Sequence, residues 1–74
     1  PFESIAEEAR INYDGLKGLS FSIKLVSDFN NIDTLTVFTA KWRDSLPSAK
    51  VSADKKRLYE WLKFKVPADS LVLD

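Results

Sequence analysis

The chain has 74 residues, 45% of them hydrophobic and nine of them aromatic, with eleven Lys and Arg against eleven Asp and Glu and no histidine, cysteine or methionine. That length holds one small domain, residues 1–74, too apolar to be disordered, and at this size folding buries only about 60% of the surface of the unfolded chain. The missing residue types exclude thiol and imidazole chemistry, disulfides and cysteine or histidine metal sites, and zero net charge excludes a global field toward nucleic acid or anionic membrane.

Phe2, Ile5, Ala6, Ala9 and Tyr13 recur at spacings of three and four, with Glu3, Glu7 and Glu8 ahead of Arg10. This predicts an amphipathic helix with its acids at the positive end of the helix dipole. The helix stops near Asn12, where Asp14-Gly15 offers a left-handed exit and Gly18 follows closely. From Leu19 the period becomes two: Leu19, Phe21, Ile23 and Leu25 share one face, and Ser20, Ser22 and Lys24 the other, which predicts a strand buried on one side. Asn30 and Asn31 supply a turn, because asparagine tolerates positive φ, and Thr34 to Trp42 supplies the second strand of an antiparallel hairpin.

That second strand changes phase. Leu35 and Val37 share one face while Phe38, Ala40 and Trp42 share the other, which calls for a bulge near Val37 and Phe38 or for cover on both faces of the sheet. Asp44 to Val51 reads as a loop around Pro47. Ser52 then caps a second helix, with Asp54 in its first turn and Leu58, Tyr59, Trp61 and Leu62 on its apolar side, and Pro67 stops it. Leu71 to Leu73 predicts a short edge or closing strand. The fold expected is α+β, in the order α-β-β-α-(β), an antiparallel hairpin with two packed helices.

Chemistry has few candidates. Glu3 and Glu7 lie one turn apart and offer oxygen to a hard cation, but no glycine-punctuated acidic loop accompanies them, and a solvated acidic helix start is the stronger account. A free N-terminal proline is a secondary amine, and in Pro1 alone the chain resembles the tautomerase superfamily, where that residue is a general base. That family continues directly into a strand, whereas Phe2 to Arg10 has helical spacing. A start at Pro1 fits methionine removal or excision from a longer protein. Gly15-Leu16-Lys17-Gly18 resembles the G-x-x-G loop with which KH domains clamp a nucleic-acid backbone, but that loop joins two helices, and here a strand follows. The helix-strand-strand-helix order is similar to part of the double-stranded RNA-binding domain, which places a third strand before its last helix, where residues 44–51 do not read as one.

Binding has more. Residues 1–37 carry three basic and six acidic side chains, and residues 38–74 carry eight and five. Within segment 41–65, Lys41, Arg43, Lys55, Lys56, Arg57 and Lys63 lie among Trp42, Tyr59 and Trp61, the residue types that hold phosphates and unpaired bases. Helical spacing turns Trp61 to the core, however, and makes Lys56, Glu60 and Lys63 an ordinary solvated face. A small sheet with an open edge accepts a partner's strand, and Trp42 and Arg43 are the types that dominate interface energetics. The expectation is a non-enzymatic binding module with no cofactor. Its partner is another protein or a second copy, engaged through Phe38, Trp42, Arg43 and the exposed side of the second helix. Nucleic acid bound through the six basic residues is the alternative. No apolar run approaches the ~18 residues of a membrane span. The lack of cysteine fits a reducing compartment such as the cytoplasm without fixing one.

Overall fold

The computed structural model describes residues 1–74 as α1 (Phe2–Asn12), β1 (Leu16–Ser27), β2 (Ile32–Trp42), α2 (Ser48–Lys65) and β3 (Leu71–Leu73). β1 and β2 form the antiparallel hairpin, and β3 returns parallel to β2, giving a mixed sheet in the order β1-β2-β3. No helix is long and apolar enough to cross a membrane.

The pairing register sets the faces. Leu19 lies opposite Ala40, Phe21 opposite Phe38 and Ile23 opposite Thr36, while Thr36 and Phe38 pair on their other side with Leu71 and Leu73. All of these side chains therefore share one face. Both helices pack on it: the core joins Ala9 and Tyr13 of the α1 end, Leu16, Phe38, and Leu58 and Leu62 of α2. The Phe2 ring stacks 6.0 Å from Phe21 and lies 6.4 Å from Phe38, and Lys65 Nζ reaches Glu8 at 3.2 Å, tying the two helices together. Leu58 and Leu62, one turn apart and fully buried, each contribute about 1.5–3 kcal/mol by leaving water.

Several details depart from the sequence expectation. α1 leaves through Tyr13 at φ −130° and no glycine has positive φ, so the exit is not left-handed. Gly15 serves close approach instead. It is buried, its carbonyl accepts from Arg43 N–H at 2.9 Å, and a Cβ there would sit 2.5 Å from Leu46 Cδ1. β1 starts at Leu16, so Gly18 is a strand residue beside a bulge between Leu16 and Gly18. No bulge falls at Val37 and Phe38, where the register is regular. Nor do the helices sandwich the sheet: the face of Ser22, Lys24, Leu35 and Val37 takes no part in the helix-bearing core. α2 begins a turn early, at Ser48 behind an extended Pro47, with no side-chain cap. Asp54 is thus a mid-helix residue, buried one turn before Leu58, where Lys50 Nζ at 2.9 Å and Arg57 Nη1 at 3.4 Å satisfy its carboxylate.

Candidate functional site

The hairpin is longer than the layer that covers it. β3 pairs with β2 only from Thr36 to Phe38, and the aromatic contact of α1 with β1 is through Phe21. Past that level the two strands run on as an arm, with every residue from Ser20 to Thr34 exposed. Exposure climbs along the core-facing side of β1, from 44% at Phe21 to 55% at Ile23 and 70% at Leu25. Ile32, opposite Ser27, extends the same face and is exposed as well. The alternation that predicts a buried face therefore holds only at Leu19; beyond it, the apolar face of the core continues into solvent.

The turn at the end of the arm is built by local side chains. Asp28 Oδ1 accepts from the N–H groups of Asn30 at 2.8 Å and Asn31 at 2.6 Å, and Ser27 Oγ accepts from Phe29 N–H at 3.0 Å. Those backbone donors hold the Asp28 carboxyl below its ordinary value of 3.8. Positive φ falls on Phe29, at 72°, and not on either asparagine. A bulky side chain in the left-handed region costs of order 1–3 kcal/mol, and Phe29 is also 97% exposed, so the fold gains no burial from it in return.

β1 is an edge strand, paired only with β2. Asp28 N–H donates to the Asn31 carbonyl across the hairpin, so alternation directs the even-numbered residues of β1 toward β2. Leu19, Phe21, Ile23, Leu25 and Ser27 then present their N–H and C=O groups to the open side. Natural edges are blunted by charges, proline or bulges, yet between Leu19 and Ser27 the only such device is Lys24.

The residues picked out from sequence occupy other places. Phe38 is 2% exposed, beneath Phe2 and Phe21, and is a core residue with no surface for a partner. Trp42 is half-buried against that core, and Arg43 is exposed with its Nε donating to the Asp14 carbonyl at 3.2 Å. The six basic residues do not form one patch. Lys41 stands on β2, Arg57 lies over the Tyr13 ring at 5.4 Å, and Lys63 pairs with Glu60 at 2.9 Å beside the Tyr59 ring, a contact that raises its ammonium above the ordinary lysine value. Lys55 and Lys56 flank a shallow groove of about 500 Å³ between α2 and β3, with Tyr59 and Leu73. Glu7 is engaged by Arg10, which lowers its carboxyl, and no group of three potential ligands is placed to hold a metal ion. Pro1 precedes a helix and its carbonyl accepts from Ser4 Oγ at 3.0 Å.

A family model described as a domain of unknown function, DUF8492, matches residues 1–74. The chain belongs to the DUF8492 family. No curated protein and no solved structure matches it. The family match carries no function for this DUF8492 chain, so the site rests on its own geometry: Phe21, Ile23 and Leu25 are residues that the sequence assigned to a buried face, and Phe29 and Ile32 are residues that it did not single out. Their signal was present in the length of the alternating run, which exceeds what one turn of contact with α1 covers, and in its near lack of charge.

Proposed function

We propose that this chain is a protein-interaction module that docks through the arm of the β1–β2 hairpin. One observation carries the reading: the apolar face of the core runs on past the helices, so that Ile23, Leu25 and Ile32 face water beside an unprotected strand edge. Contiguous apolar surface on a small domain marks an interaction site, and an open edge supplies backbone hydrogen bonds to a partner strand. Trp42 and Arg43 stand at the opposite end of β2 and are peripheral to this surface.

The test is site-specific photo-crosslinking in cells. A benzophenone side chain at Leu25 is expected to form adducts with polypeptide, and one at Glu60, exposed on α2 away from the arm, far fewer. Adducts to nucleic acid or lipid from position 25, or no adduct above the position 60 background, would sink the reading.

A further inference from the structure

We propose that the partner seated on this arm is a second copy of the chain, paired through β1 in antiparallel register about a twofold axis at Ile23. The inference rests on the arm being the docking surface and adds which molecule occupies it.

Three features of β1 are self-complementary. Its regular stretch is bounded by the bulge at Leu16 and Gly18 and by the turn at Asp28, so the stretch runs from Leu19 to Ser27 and Ile23 is its midpoint. An axis there sets Ile23 against Ile23 of the other copy, Phe21 against Leu25 and Leu19 against Ser27, and these are the residues whose N–H and C=O groups face the open edge. On the opposite face Ser22 meets Lys24 and Ser20 meets Val26. The one charge in the stretch thus faces a serine, with its own symmetry mate about 7–8 Å away on the diagonal, whereas an axis at Lys24 places two ammonium groups directly opposite, which is more destabilising.

The same register carries each turn onto the other copy's helix. With Ser27 opposite Leu19, Phe29 arrives alongside Lys17, at the mouth of a groove of about 570 Å³ between α1 and the start of β1. Ala6, Leu16 and Leu19 give that groove an apolar floor, and Glu3, Glu7 and Arg10 line its helix side. An exposed phenylalanine held in a costly backbone conformation on one copy meets an open groove on the other, twice by symmetry. A phenyl ring brings about 150–250 Å². Phe21, Ile23, Leu25 and the strand edge add apolar surface and backbone hydrogen bonds to it.

Because the chain has no cysteine, introduced cysteines report the register directly. In a glutathione redox buffer, Ile23→Cys is expected to form a disulfide-linked homodimer. A mixture of Ser20→Cys with Val26→Cys forms the heterodimer, while neither forms a homodimer alone. Sedimentation equilibrium of the unmodified chain gives a dimer mass. Ile23→Lys gives a monomer, and Phe29→Asn, which suits the left-handed turn and stays folded, weakens association about tenfold or more. A monomer mass up to ~1 mM with no register-specific disulfide overturns the second-copy inference. If Leu25 still crosslinks to other polypeptides in that case, the docking reading survives without it; if Leu25 crosslinks to nothing, both fall.

Discussion

At the scale of single residues, the arm's turn shows how polar side chains hold a backbone that its apolar residue does not favour. Asp28 takes two backbone donors, and its carboxyl is shifted below 3.8 chiefly by Asn31 N–H and then by Asn30 N–H. Its folded-state value lies under the unfolded one, so its stabilising effect is complete above the unfolded value and is lost as pH falls through the folded value. The expected outcome is that the Asn30 and Asn31 amide resonances shift as the medium is taken from about pH 5 to about pH 2, with a midpoint below the ~3.9 of a free aspartate, and that Asp28→Asn removes the transition. A midpoint at or above the free value would mean that the Asp28 carboxylate does not hold the turn. Phe29 itself gives no sequence signal for positive φ, which is why the asparagines read as the left-handed residues; the legible clue is Asp28, whose side chain bonds backbone two and three residues on.

At the scale of elements, each helix and strand was legible where its pattern determines it and illegible where cover determines it. The three-and-four spacing of Phe2, Ile5 and Ala9 specifies α1 without further help, and its observed end at Asn12 is where the spacing stops. Alternation in β1 specifies which side chains share a face, but not how far the helices reach along it, so Leu19 and Leu25 read alike and differ in the structure. α2 starts at Ser48 because an extended Pro47 leads into it, a device that needs no capping side chain, and Ser52 is an exposed helical residue. The phase change in β2 is real and reflects burial on unequal sides: Phe38 on the helix-bearing face, Leu35 and Val37 half-buried on the other. These positions separate by substitution. Phe38→Ala removes the ring that joins Phe2, Phe21, Leu58 and Leu62 and is expected to cost about 3–5 kcal/mol in denaturant unfolding. Leu25→Ala, measured below the association range, is expected to stay within about 0.5 kcal/mol of the parent, since most of its side chain already lies in water. Equal losses at the two positions would place the arm in the monomer's core.

At the scale of the whole molecule, the extents of 44 × 25 × 17 Å divide the chain between a covered block and an uncovered arm. The block holds all six core hydrophobics, and the arm holds none of them. A domain of this length has a thin margin of stability, and spending a dozen residues on a surface that buries little makes that margin thinner unless a partner covers it. If the partner is a second copy, folding and association are linked, and the thermal midpoint depends on protein concentration. For a dimer of two such chains that unfolds to monomers, each tenfold rise in concentration is expected to raise the midpoint by about 5 °C, while Ile23→Lys, a monomer, shows no such dependence. Calorimetry across roughly a hundredfold range reads this directly. A midpoint that stays fixed for the unmodified chain would mean that the block alone carries the stability, and that whatever covers Ile23 and Leu25 is not another copy.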